Sequence, residues 1–434
     1  MLFVFISLKI KNFRSILDTE ISMTFEEGKA PNRYKELARL PFLEESKLRL
    51  VPCLAIYGAN AGGKSNIIRA FLAFDRLLKF GVAAAYDPNR LFPGNEISSF
   101  EAKILLKGSV YTYSVEYSAK DIVRESLAGD DDQTIFEIVK SKLVDFDRIS
   151  SDTYSEKNLK DFLRVECSDK DGVQNRTFLY LLGAKYPALN TEIATVLEFF
   201  LKSVFISLNN QIPAALGIRM LEDSLKDHSQ VETAFEKLQK ITAKLDFGIE
   251  RMEINRTKLE QNQSGEFQVK INPLDGEPIG LRQDKEGQFA EYLYSFHKDA
   301  KENEIRFNFN EESMGTQIAF GVLGSILAAL ENGGIVLIDE LDRSLHSLVF
   351  QQIVKMFTNR RYNTKNAQLI FTAHNTDLLD TDVLRISEIG FVNKTKKKGT
   401  TLRRLVNFEG VRNVSNFRKR YLSGEFDGIP FPYL

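Results

Sequence analysis

The stretch VPCLAIYGANAGGKSNIIRAFLAFDRLLKF, residues 51–80, decides the fold class. Its first residues form an apolar run short enough to be a buried strand, and Gly58 ends that run. From Ser65 onward Ile68, Phe71, Leu72 and Leu78 fall at helical spacing. Strand, glycine loop and helix make one βα unit of a parallel α/β sheet. The loop itself, Gly58-Ala59-Asn60-Ala61-Gly62-Gly63-Lys64-Ser65, fits GxxxxGK followed by Ser or Thr at every fixed position. Glycines let the backbone curl so that successive N–H groups face an anion, and the helix that follows adds the positive end of its dipole. Lys64 suits the β- and γ-phosphates of a nucleotide, and the Ser65 hydroxyl suits Mg²⁺. Gly58, Asn60, Gly62, Gly63, Lys64 and Ser65 are therefore candidate ATP-binding residues. The bland alternative is a glycine turn that caps a helix.

A second strand supports the first. GIVLIDE (334–340) is aliphatic throughout and ends in Asp339 and Glu340. Such a strand is buried on both faces, and two like charges at its end are costly unless a cation or a reaction occupies them. Asp339 is the candidate Mg²⁺ ligand, and Glu340 the candidate base for a water attacking the γ-phosphate. Upstream, Glu312-Ser313-Met314-Gly315-Thr316-Gln317 precedes a helical stretch. A serine and glycine N–H groups there make a second anion site; taken alone they make an N-cap. His374 follows the strand QLIFTA and could donate to a phosphate oxygen, or be a satisfied structural residue. His228 and His297 show no constellation, and no metal-ligand spacing links the four histidines.

Around these motifs the chain reads as two short strands over residues 2–27 and a hairpin over 100–126 turning at Gly108-Ser109. Residues 130–175 are polar with weak periodicity. Helical pattern covers 178–208 and 221–245, the latter a surface helix or a short coiled-coil arm. A helix near 315–331, another near 345–358, the strand 368–374 and a closing hairpin complete the chain. Nucleotide-type signatures at both ends suggest one split α/β domain, 1–145 with 297–434, and a mainly helical insertion at 146–296.

Composition narrows the class. With 58 Lys+Arg against 59 Asp+Glu and 43% hydrophobic residues, the chain is neither disordered nor a wholly basic nucleic-acid coat. Two cysteines, Cys53 and Cys167, exclude a disulfide framework and point to a reducing compartment, the cytoplasm. No apolar run reaches the length of about 20 residues needed to span a bilayer. The apolar start MLFVFISLKI lacks a basic n-region and reads as a first strand.

The order of P-loop, long insertion, ESMGT, aliphatic strand with Asp-Glu, SLH (Ser344–His346) and strand-His resembles the ABC-type ATPase head of RecF and SMC proteins. It is more similar still to the standalone ATPases related to the overcoming-lysogenization-defect (OLD) family, found in bacterial anti-phage modules such as PARIS, Septu and the ATPase–RloB pairs. The likeness spans essentially the whole chain, including IKNFRS (Ile10–Ser15), Phe296-His297 and YLSGEFDGIP (Tyr421–Pro430). It implies an α/β ABC-type P-loop head, with a mixed central sheet, helices and an antiparallel β-subdomain, carrying a helical insertion. Ser313 and Gly315 would stand for the signature that binds the γ-phosphate of ATP held by another protomer, and His374 for the switch histidine. His346 falls where many ABC proteins carry an aspartate, and the glutamine-bearing loop has no assigned position. Neither half-site would close around ATP alone, so ATP should bring two heads together and hydrolysis let them part.

OLD-type nucleases carry a Toprim domain after the head, and about 100 residues would be needed for one. The 60 residues after His374 do not accommodate it, so the resemblance implies a separately encoded Toprim, RloB-like or HNH effector. DNA or a phage protein is a further candidate partner. Ten Lys and Arg against Glu409 alone over residues 394–420 could track a phosphate backbone or be a solvated hairpin edge. Three functions fit: an ATP-driven sensor or regulator in phage defence, a DNA-repair or DNA-organising ATPase, and a scaffold that ATP only cements.

Overall fold

The computed structural model describes residues 3–25, 48–130, 133–146, 148–149, 155–187, 190–202, 204–207, 213–224, 231–245, 248–261, 267–268, 277–284, 287–343, 345–380, 383–411, 416–426 and 428–429. Strands β1 (Phe3–Phe13), β2 (Ile16–Ser22) and β3 (Cys53–Gly58) lead into helices α1 (Lys64–Phe80) and α2 (Val82–Ala85). Five strands follow: β4 (Ser98–Leu106), β5 (Ser109–Tyr117), β6 (Ile122–Ala128), β7 (Thr134–Val139) and β8 (Lys142–Asp145). Then come α3 (Glu156–Phe162), α4 (Phe178–Lys185), α5 (Thr191–Lys202), β9 (Val204–Ser207), α6 (Ala214–Ser224) and α7 (Val231–Lys244). Six strands are next: β10 (Arg251–Lys258), β11 (Glu260–Gln261), β12 (Phe267–Gln268), β13 (Gly280–Asp284), β14 (Gly287–Lys298) and β15 (Glu304–Asn308). The chain closes with α8 (Met314–Asn332), β16 (Ile335–Ile338), α9 (Ser347–Thr358), β17 (Gln368–Thr372), β18 (Ile389–Thr395), β19 (Gly399–Arg404) and α10 (Phe417–Leu422).

Two compact units result: Met1–Leu208 with Asn332–Glu340 and Val354–Leu434, and Asn209–Glu331 with Leu341–Ile353. In the first, thirteen strands form one sheet in the order β8-β7-β6-β5-β4-β1-β2-β19-β18-β3-β17-β16-β9. Strands β18, β3, β17, β16 and β9 run parallel; from β8 to β18 neighbours are antiparallel. Helix α1 buries Ile67, Phe71, Phe74 and Leu78, spaced to share one face. Phe74 meets Phe100 and Phe200 edge-on at 5.6 and 5.2 Å, and Phe71 meets Phe5 at 5.4 Å. The second unit holds the antiparallel sheet β10-β14-β13, with β15 also on β14, and a core of Leu259, Ala290, Tyr292, Tyr294 and Phe296.

The large mixed sheet with helices and a smaller antiparallel sheet is the architecture expected from sequence. Details differ. The hairpin at 100–126 is present as β4 and β5, turning at Gly108 with φ 98°, and it belongs to the main sheet. Helical pattern over 178–208 stops at Lys202, and Val204–Ser207 is a strand parallel to β16. A Val-Phe-Ile run beside an open strand edge gains a ladder of backbone bonds that no local pattern announces. The weakly periodic 130–175 segment supplies β7 and β8. The run at 221–245 falls on α6 and α7, with 225–230 outside the described residues. Within the segment expected to be mainly helical, β10–β14 were not foreseen, because alternation there is interrupted by charged residues on the exposed face. No uninterrupted apolar run of about 20 residues is present, but among the described residues one helix is long and apolar enough on average to cross a membrane. Helix α8 has 19 residues with mean hydropathy 1.4, enough by length and composition. Most of it is buried inside the protein, which is how a core helix passes the same test.

Candidate functional site

The loop after β3 is shaped by two glycines. Gly63 has φ 108°, where an L side chain is strained, and a Cβ there would collide with the Thr400 side chain. At Gly58 a Cβ would lie 2.6 Å from the Val392 carbonyl oxygen. Gly62 N–H bonds to Ala59 O at 3.1 Å and closes the turn. Helix α1 starts at Lys64 with no side-chain cap, so its first N–H groups face the loop, as an anion site requires. Lys64 is 6% exposed, and its Nζ donates to Gly58 O at 2.7 Å and Ala59 O at 3.3 Å.

Behind the loop runs a chain of hydrogen bonds that sequence reasoning missed. Asn66 Nδ2 donates to Ser15 Oγ at 2.6 Å, Ser15 and Thr400 hydroxyls are 2.7 Å apart, and Thr400 Oγ1 donates to Gly62 O at 3.1 Å. Ser15 O also accepts from Thr400 N at 2.7 Å. The C-terminal segment braces the same place. Tyr421 and Phe426 stack on Phe391, and a Cβ on Gly428 would lie 3.2 Å from Gly58 Cα. The only sequence signals were the polar residues in IKNFRS and the glycine near the end of YLSGEFDGIP; Asp427 and Pro430 of that motif lie outside the described residues.

Strands β3, β17 and β16 are consecutive parallel neighbours, so the phosphate loop, His374 and the Asp339-Glu340 pair all follow their C-terminal ends. Ligands of open α/β sheets bind at that edge. Asp339 is 1% exposed; its Oδ1 accepts from Thr372 Oγ1 at 2.6 Å. Its Oδ2 is buried and, among the described residues, has no hydrogen-bond partner. A buried carboxylate oxygen left without a donor is what a cation ligand looks like before the cation is added. Glu340 has φ 55°, and its N–H donates to Thr372 Oγ1 at 2.8 Å. Glu340 Oε1 lies 3.7 Å from His374 Nε2, and both side chains are partly exposed. Among the described residues no three His, Cys, Asp or Glu gather to hold a metal. The unpartnered Asp339 Oδ2 fits Mg²⁺, which takes one or two carboxylates and completes its shell from phosphates and water.

Ser313 and Gly315 belong to the second compact unit. Ser313 is exposed, and its Oγ accepts from Thr316 N at 3.1 Å, so it caps α8. Glu312 is held from β14: its Oε1 is 2.5 Å from both Ser295 Oγ and His297 Nε2. His297, left without a role by sequence, therefore anchors the residue before Ser313. His346 is exposed at the start of α9, where its Nδ1 accepts from Leu348 N at 3.3 Å; Ser344 lies outside the described residues.

The basic run 394–420 is divided by the fold. Arg404 is buried against the Thr24 and Ser387 carbonyls, and burial pulls its pKa down to about 10 despite Glu20. Arg403 lies 3.9 Å over Phe408, Arg418 pairs with Asp377, and Arg420 with Glu425. Lys394, Lys396, Lys397 and Lys398 remain exposed at the β18–β19 turn; Arg412 lies outside the described residues. The charge is a local turn, not a continuous stripe.

Residues 53–380 match the family described as "AAA domain, putative AbiEii toxin, Type IV TA system". The chain belongs to this AAA family. The match takes in the phosphate loop, Ser313, Gly315, Asp339, Glu340 and His374. No curated protein matches the AAA chain in sequence. Among solved structures, it is similar to the SMC head domain from Thermotoga maritima, at 11% identity and a TM-score of 0.40, covering 92% of this chain and 98% of that one. A Pyrococcus furiosus Smc head bound to the C-terminal domain of ScpA gives 13% and 0.41 over 98% and 99%. The recombination mediator RecF with ATP gives 12% and 0.34 over 86% and 93%.

Proposed function

We propose that this AAA protein is a Mg²⁺-dependent ATPase of ABC/OLD-like type. Its heads assemble around ATP, and it senses infection or controls a separately encoded effector nuclease in anti-phage defence, in the cytoplasm. The observation that carries the reading is the placing of the phosphate loop, Asp339, Glu340 and His374 after three adjacent parallel strands, with Asp339 Oδ2 left unpartnered. In this reading residues 1–145 and 297–434 work as the head, and 146–296 as its insertion.

Each residue has a physical task. Lys64 turns from the loop carbonyls to the β- and γ-phosphates, and the loop N–H groups hold their oxygens. Ser65 Oγ and Asp339 Oδ2 would hold Mg²⁺, which neutralises phosphate charge when bound. Glu340 Oε1 orients the attacking water and accepts its proton. His374 Nε2 steadies that carboxylate and donates toward the γ-phosphate. Ser313, exposed at the N-terminus of α8, and Gly315 would meet ATP held by another copy. The family description names a putative AbiEii toxin of a Type IV TA system, which supports a chain that works with a separately encoded partner.

Complementation between two dead variants tests the reading. Lys64→Ala and Ser313→Arg should each lack ATP turnover, while an equimolar mixture regains part of it, because one composite site per pair has both halves intact. A mixture as inactive as its parts, with active wild type, overturns the shared site. Strong stimulation of wild-type turnover by duplex DNA would favour a DNA-organising ATPase instead.

A further inference from the structure

We infer that Thr372 is the positioning residue of the hydrolytic site, one hydroxyl that sets both carboxylates of the Asp339-Glu340 pair. The inference deepens the ATPase reading above and rests on it. Thr372 ends β17, directly after the apolar run Leu369, Ile370 and Phe371, and is fully buried. A buried hydroxyl needs partners, and this one has two: it donates to Asp339 Oδ1 at 2.6 Å and accepts from Glu340 N at 2.8 Å.

The two bonds do different work. The bond to Asp339 occupies Oδ1, fixes the rotation of the carboxylate and leaves Oδ2 as the oxygen without a donor. The bond from Glu340 N holds the backbone at φ 55°, a conformation a glutamate does not favour without support. That turn takes the Glu340 side chain out of the strand direction, to within 3.7 Å of His374. Thr372 is itself two residues before His374. One side chain thus links the metal ligand, the base and the histidine across two neighbouring strands. Outer partners of metal-site carboxylates commonly change affinity or activity by roughly 10–100-fold when removed.

The test compares Thr372→Val, which keeps shape and removes the hydroxyl, with Thr372→Ser, which keeps the hydroxyl. Steady-state ATP turnover and equilibrium ATP binding are measured across a Mg²⁺ titration, with thermal melting as the check on folding. Thr372→Val should lower kcat by roughly 10–100-fold and raise the Mg²⁺ concentration for half-maximal binding and turnover. Its KM at saturating Mg²⁺ should move little, since Lys64 and the loop are untouched. Thr372→Ser should restore both. The inference is overturned if Thr372→Val keeps the wild-type kcat and Mg²⁺ dependence, or if Thr372→Ser is impaired equally. It is also overturned if Thr372→Val melts like wild type and loses only KM. Failure of the underlying reading is a distinct result, with wild type neither binding nor turning over ATP at any Mg²⁺ concentration, and it takes the inference with it.

Discussion

The Thr400 hydroxyl donates to the carbonyl oxygen of Gly62 at 3.1 Å, so a residue on β19, the last described strand, holds the phosphate loop from behind. Ser15 and Asn66 extend the same line, and the donors run in one direction from the amide to the carbonyl. Removing the hydroxyl leaves Gly62 O and Ser15 without their partner in a buried place. Thr400→Val should therefore weaken ATP binding by about 1 kcal/mol, roughly fivefold. Equilibrium binding at fixed Mg²⁺ checks this, and unchanged affinity would show that the loop keeps its shape without the relay.

Glu340→Gln removes the proposed base and keeps the shape of the side chain. ATP binding should survive, turnover should fall by roughly 10²–10⁴-fold, and the ATP-bound assembly should persist. Turnover assays with size-exclusion chromatography in MgATP provide the measurement. Parent-rate hydrolysis would remove Glu340 from the mechanism.

Ser313 serves its own helix as a cap, and that role can be separated from a role toward another copy. Ser313→Ala loses the bond from Thr316 N and should cost about 1 kcal/mol of stability. Ser313→Asp caps as well as serine, yet it would place a negative charge toward a phosphate. Melting should show Asp close to wild type, while sedimentation shows ATP-dependent association lost. Intact association would confine Ser313 to the cap.

Glu125 gives a pH dependence remote from the nucleotide site. Its carboxylate is fully buried and accepts from Phe178 N, Leu179 N, Tyr113 OH and Gln174 Nε2. Burial pushes its pKa up, and these hydrogen bonds only partly offset that. The unfolded carboxyl releases its proton near pH 4.3, whereas the folded one keeps it to higher pH. Between those two values the native state holds more protons, so the Glu125 contribution to stability falls as pH rises and is level above the folded pKa. Urea unfolding of wild type and Glu125→Gln over pH 4–8 should show the wild-type advantage shrinking with pH. Glutamine cannot accept at its amide nitrogen, which should cost roughly 1–3 kcal/mol at low pH. An advantage that grows with pH would reverse the sign.

Much of the site was legible because short-range chemistry writes it into consecutive residues. A phosphate cradle needs glycines and a helix start in one loop, so Gly58–Ser65 is contiguous. A buried strand ending in two acids is visible in residues 334–340 for the same reason. His374 was readable from its strand, but its 3.7 Å approach to Glu340 was not. Thr372 was overlooked since a threonine in a strand is ordinary until its two partners are known.

The sequence by itself determined the local pieces: the βα unit at 51–80, the aliphatic strands and the amphipathic face of α1. Each depends on periodicity or on residues adjacent in the chain. Tertiary structure decided that β3, β17 and β16 lie side by side, that β9 joins them as a strand, and that Thr400, Ser15 and Gly428 close around the loop. Most of those relations join residues more than a hundred positions apart, and strand pairing is set by backbone bonds that nearly every residue type can make. Side-chain pattern therefore marks a strand without naming its neighbour.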